Sequence, residues 1–154
     1  MSNETDAVDE AIMALLRDDG RISYRQIGRQ LDVSESTVRQ RMRRLQSGQA
    51  VRVGVVVDLT RTGRGVVAWL RISVVPAQRR ATIERLVAMA ETTYVATASG
   101  QHNVIAVLSA ENVGALQRIV DDGISTAPGV HAVDVRIAGA TIKHDFHEVC
   151  LRTD

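Results

Sequence analysis

Four arginines crowd the stretch Ser34 to Leu45, "SESTVRQRMRRL": Arg39, Arg41, Arg43 and Arg44. An arginine presents several N–H donors on a permanent charge, a chemistry suited to phosphate oxygens and guanine edges. A solvated basic face looks the same in isolation, so the surroundings decide. Val38, Met42 and Leu45 fall at i, i+4 and i+7, a single apolar stripe at helical spacing. Ser36, Arg39, Gln40 and Arg43 point away from that stripe, with Thr37 and Arg44 on its flanks. Arg41 lies beside the core face, where it could pair with a carboxylate or reach sideways. Ser34 suits an N-cap, and Glu35 places negative charge at the positive end of the helix dipole. If this helix enters a major groove, Ser36, Thr37 and Gln40 face base edges. Arg39 and Arg43 then read guanine or grip phosphate, and Arg44, Arg52 and Arg25 hold phosphate.

A second cluster is the polar turn "GQHN", Gly100 to Asn103, between two apolar runs. Its backbone N–H groups with Gln101, His102 and Asn103 could hold a small ligand, although an ordinary hairpin turn is the plainer reading. A third, "KHDFHEVC", offers His144, Asp145, His147 and Cys150 as metal ligands. Without a second ligand cluster it reads better as a solvated terminal strand, and no metal is expected. No Gly-x-Ser-x-Gly elbow, Walker loop or dinucleotide fingerprint is present, so neither catalysis nor a cofactor is expected.

The elements that must position these groups follow from periodicity. "DAVDEAIMALLRDDG" reads as a helix burying Val8, Ile12, Leu15 and Leu16. Ser23 and Gln26 form a capping-box pattern that opens a second helix, with Ile27 and Leu31 inward and the small Gly28 allowing close helix approach. Asp32 tolerates a left-handed turn, Val33 plugs the corner, and the arginine helix follows until Gly48. Two short helices joined by such a turn make a helix-turn-helix. "AVRVGVVVDLTRTG" is β-branched and glycine-bounded, a strand or hairpin acting as wing and connector. Beyond it come the strand "VVAWLRISVV", a helix burying Ile83, Leu86, Val87 and Met89 or Ala90, and the strands "TYVATAS" and "VIAVLSA". A further helix buries Val113, Leu116, Ile119 and Val120, and a strand alternates through Val133, Val135 and Ile137. The order βαββαβ is the ferredoxin-like plan. The tail "TIKHDFHEVCLR" is read as an edge strand. The fold class is therefore α+β, with a winged helix-turn-helix over residues 1–60 and a ferredoxin-like domain over 65–154.

Charge supports this division. The chain's net charge is only +1, yet eight arginines between Arg21 and Arg52 face only Asp32 and Glu35. From Gly65 onward eight basic residues meet nine acidic ones. A basic module joined to a near-neutral one points to nucleic acid at one end. Apolar content of 45% suffices for packed cores, and aromatic content of 3% means that they are aliphatic. One cysteine, a polar acidic start and no membrane-length apolar run fit a cytoplasmic protein.

The stretch "DDGRISYRQIGRQLDVSESTVRQRMRRLQSGQAVR", followed by the strand-turn-strand "ATASGQHNVIAVL", resembles the Lrp/AsnC family, and the likeness spans nearly the whole chain. The resemblance implies a transcriptional regulator that binds double-stranded DNA through the Ser34 to Gln46 helix, so Ser34 joins the contacting set. It also implies a C-terminal domain that dimerises through its sheet, assembles toward higher even oligomers and binds a small effector, commonly an amino acid, near Gly100 to Asn103. The family's turn usually reads Gly-Asp/Glu-aromatic-or-His-Asp, and here amides stand at Gln101 and Asn103. A carboxylate would pair with an α-ammonium group, whereas an amide offers only a neutral acceptor. Two alternatives compete: an architectural protein that wraps DNA without an effector, and a metabolite-binding module whose helices serve protein contacts only.

Overall fold

Side-chain caps start each of the three N-terminal helices. In α1 (Ala7–Asp18) the Asp6 carboxylate accepts from the backbone N–H groups of Val8 and Asp9, while Asp9 accepts from that of Asp6. This capping box satisfies N–H groups that a helix start otherwise leaves unpaired. The expected Ser23–Gln26 box opens α2 (Tyr24–Gln30), and Ser34 caps α3 (Glu35–Ser47). Ile12, Ile27, Val38, Met42 and Leu45 form the buried core of this unit, with Val8, Leu15, Leu16, Leu31 and Val33 packed around it. The turn between α2 and α3 is as tight as Gly28 suggested: a Cβ there would lie 2.7 Å from the Val33 carbonyl oxygen. Asp32 takes the left-handed conformation, φ 52°. At the end of α3 it is Gln49, φ 56°, that turns left-handed, while Gly48 keeps φ −80°.

The computed structural model describes residues 5–143. They divide into two compact units, one holding the residues up to Val55 together with Lys143 and the other running from Val56 to Ile142. The strand or hairpin expected over "AVRVGVVVDLTRTG" is not formed: residues 51–58 carry no strand, and a 3-10 turn spans Leu59–Thr62. Val53, Val55, Val56 and Val57 are exposed. β-Branched residues favour an extended backbone, but a strand also needs a neighbour to accept and donate its hydrogen bonds, and these residues have none among the described ones.

The second unit has the order β1 (Val66–Val74), α4 (Arg79–Ala88), β2 (Thr92–Thr97), β3 (Val104–Ala110), α5 (Val113–Arg118) and β4 (Val130–Ile137). A π-helical turn, Ile119–Ser125, continues α5. All neighbours pair antiparallel in the sheet order β2-β3-β1-β4, the ferredoxin-like arrangement. Ala68, Leu70, Ile72 and Val74 from β1 pack with Val104, Ala106 and Leu108 from β3. Leu86 of α4 and Leu116, Val120 and Ile124 of the last helix cover that face. Two expected core positions are exposed instead. Val87 lies off the Thr82–Leu86 stripe of α4, and Val113, the first residue of α5, lies beyond the Leu116–Val120–Ile124 stripe. Most of the tail read as an edge strand falls outside the described residues; its described part, residues 141–143, is not strand. Among the described residues no helix is long and apolar enough to cross a membrane.

Candidate nucleic-acid interface

The arginines of α3 separate into flanks and an outward face. Arg41 donates to the Asp6 carboxylate at 2.6 and 2.7 Å and to Asp9 at 3.0 Å. Arg44 also pairs with Asp9, whose side chain is fully buried. A carboxylate buried this deeply persists only with partners that repay its desolvation, and here two guanidinium groups do so. The Arg41 bond, followed by the Asp9 backbone N–H, holds the Asp6 carboxyl at about 2, below the usual 3.8, and raises Arg41 in turn. Arg39 occupies the other flank. It pairs with Glu35 at 2.6 Å, and its guanidinium lies 5.4 Å from the centre of the Tyr24 ring.

Between these flanks Ser36, Gln40 and Arg43 are exposed. Among the described residues the Gln40 side chain has no hydrogen-bond partner and Arg43 no ion pair, so their donors face solvent uncommitted. Ser34 is the cap: its Oγ accepts from the Thr37 N–H at 3.0 Å and lies 2.7 and 2.8 Å from the hydroxyls of Ser36 and Thr37. Arg25 on α2 and Arg52 beyond α3 are exposed. The predicted DNA set thus shares one unit but not one role, because Ser34 and Arg44 hold the helix itself. Asp6, Asp9 and Tyr24 were missed. The Asp-x-x-Asp spacing at the start of α1 signalled a capping box, but nothing in the sequence signalled that the same carboxylates reach α3.

Gly100 to Asn103 turn between β2 and β3, with Gly100 at φ 108°. The β1–β3 ladder ends at Ile72–Val104, and the Asn103 side chain extends it. Its Oδ1 accepts from the Val74 N–H at 3.1 Å and its Nδ2 donates to the Val74 carbonyl at 2.7 Å. An amide can serve both partners as a peptide group would; an ionised carboxylate could serve only the N–H. Asn103 is thereby committed to β1 beside the irregularity at Ser73/Val74. Ser73 Oγ donates to the Gln101 carbonyl at 2.8 Å. With that single proton spent, the hydroxyl accepts from His102 Nδ1 at 2.9 Å. Gln101 is exposed and His102 partly so. The possible metal ligands His144, Asp145, His147 and Cys150 lie outside the described residues. Among the described ones no three His, Cys, Asp or Glu side chains are placed to hold a metal.

Known proteins match both units. Residues 6–46 match the AsnC-type helix-turn-helix domain, and residues 67–147 match the Lrp/AsnC ligand binding domain. An uncharacterised HTH-type transcriptional regulator of Pyrococcus abyssi is 28% identical over 95% of this chain and 93% of its own. The HTH-type transcriptional regulator Ptr1 of Methanocaldococcus jannaschii is 26% identical over 90% and 94%. Among solved structures, AsnC of E. coli superposes with a TM-score of 0.84 at 18% identity, covering 94% of this chain and 99% of its own. A transcriptional regulator of Neisseria meningitidis, solved as its complex with L-Met, gives 0.84 at 17% identity over 95% and 97%.

Proposed function

The chain belongs to the Lrp/AsnC family, and from that premise we propose that it reads DNA chiefly through Ser36, Gln40 and Arg43 of α3. It is a transcriptional regulator with a helix-turn-helix DNA-binding domain and a ligand-binding domain. The observation that carries the proposal is the division of the arginines. Arg41 and Arg44 are held by the carboxylates of α1, whereas Arg43 and Gln40 stand outward and uncommitted among the described residues. Arg43 suits a guanine and Gln40 an adenine. Arg25 and Arg52 supply phosphate contacts, which set affinity without carrying sequence information.

The working form is a homodimer, assembling toward higher even oligomers, that places two α3 helices on a pseudo-palindromic site. Half-sites then lie about one helical turn, ~10–10.5 bp, or a multiple apart. The C-terminal domain takes a small effector at the Gly100–Asn103 turn; the L-Met complex of the Neisseria protein supports an amino acid. Because Asn103 is spent on Val74, effector contacts fall to the Gly100 backbone, Gln101 and His102. Such a regulator works in the cytoplasm, where its DNA is. The test is binding of wild type and Arg43→Ala to the chain's own upstream DNA, with and without a panel of amino acids. Arg43→Ala is expected to lose about 1–3 kcal/mol of specific binding. Unchanged selectivity would remove Arg43 as a reader, and equal affinity and assembly size across the panel would remove the effector.

A further inference from the structure

We propose that Tyr24 is a positioning residue for DNA binding, its ring a platform that presets the Arg39 guanidinium for a backbone phosphate. The proposal rests on the reading of α3 as the DNA-contacting helix. Tyr24 is the first residue of α2, directly after the Ser23 cap, and packs against the core of the N-terminal unit. Its ring is therefore fixed by both the helix start and the core. Arg39 lies over it at 5.4 Å, within the range of a cation–π contact. Glu35, one turn back along α3, takes one edge of the guanidinium through Nη2 at 2.6 Å. A planar guanidinium with a ring on its face and a carboxylate on one edge keeps its remaining in-plane N–H groups for another acceptor. The Arg39 side chain stays half exposed, so an acceptor can reach it.

Position on the helix selects phosphate over base. At about 100° per residue, Arg39 stands between inward-facing Val38 and outward-facing Gln40, on the flank turned toward α2. In a helix-turn-helix the first helix crosses the DNA backbone while the second lies in the groove. An arginine held between the two therefore meets the strand at the groove's edge. Holding a long side chain in place before binding lowers the entropy lost on contact.

A double-mutant cycle in the full chain tests this: wild type, Tyr24→Leu, Arg39→Ala and the double variant, titrated with the cognate duplex at several salt concentrations. Tyr24→Phe keeps the ring and Arg43→Ala serves as the reader control. Expected results are a loss of about 2- to 5-fold for Tyr24→Leu in the wild-type background and none when Arg39 is already Ala. Tyr24→Phe should bind as wild type. Arg39→Ala should flatten the salt slope by ~0.9, one phosphate's worth, with selectivity retained. Any general loosening of the fold affects Tyr24→Leu in both backgrounds, so an equal penalty in the two overturns the proposal. A wild-type salt slope in Arg39→Ala overturns it too. If Arg43→Ala also binds as wild type, the reading of α3 itself has failed; if Arg43→Ala loses selectivity while Tyr24→Leu costs the same in both backgrounds or Arg39→Ala keeps the wild-type salt slope, only the Tyr24 proposal has.

Discussion

The Asp6 carboxylate and Arg41 of α3 share two hydrogen bonds, and their consequence is a pH dependence. The Asp6 carboxyl titrates near 2 in the folded chain, against an ordinary value of 3.8. A depressed folded value means stability that is complete above the unfolded pKa and is lost as pH falls through the folded one. Thermal melts of wild type and Asp6→Asn should therefore differ by a constant amount above about pH 4, and the difference should vanish toward pH 2. At the other site, Asn103→Asp keeps the bond from the Val74 N–H but sets a carboxylate oxygen against the Val74 carbonyl. A cost of about 1–3 kcal/mol in denaturant unfolding is expected. Sequence reasoning allowed Arg41 a carboxylate partner but could name neither that partner nor the one Asn103 takes, for one reason. Spacing along the chain placed Arg41 at the edge of the core and Asn103 in a turn. Their partners lie 35 and 29 residues away, and only the fold joins them.

At the scale of elements, the capping signals and the 3.6-residue stripe were legible, because both are properties of neighbours along the chain. Ser23–Gln26, Ser34 and the Val38–Met42–Leu45 stripe all stand where the residues place them. The valine run at residues 51–57 shows the opposite case: its residues favour a strand, but a strand exists only with a partner. The register of the π-helical turn at Ile119–Ser125 was likewise hidden, since apolar spacing of four fits α and π turns alike. The tight α2–α3 turn yields a prediction. In Gly28→Ala the new methyl would press on the Val33 carbonyl and approach the Glu35 N–H at 3.4 Å. Overpacking of this kind costs about 1–3 kcal/mol, which outweighs the ~1 kcal/mol that alanine gains in helix propensity. The variant should melt at lower temperature and bind DNA more weakly, because the turn sets the angle of α3.

The whole molecule joins a basic unit to a sheet with one covered face. On the other face Trp69 is half exposed, opposite Val107 on one side and Arg136 on the other, and Tyr94 is exposed on β2. Arg71, Asp134 and Arg136 form an ion cluster on the same face, where the Arg71 bond and then Arg136 lower the Asp134 carboxyl. If the homodimer forms through this sheet, Trp69→Asp should reduce the mass seen by light scattering while circular dichroism stays unchanged. An unaltered mass would place the dimer contact elsewhere. The central claim, that α3 reads sequence through its outward face, is tested most directly by one titration. Wild type and Arg43→Ala are each measured against the upstream intergenic duplex and an unrelated duplex at two salt concentrations. Wild type should prefer its own duplex at both, and Arg43→Ala should lose that preference while keeping salt-sensitive binding to either. Equal binding of the wild type to both duplexes, or a preference that survives Arg43→Ala, would contradict the account.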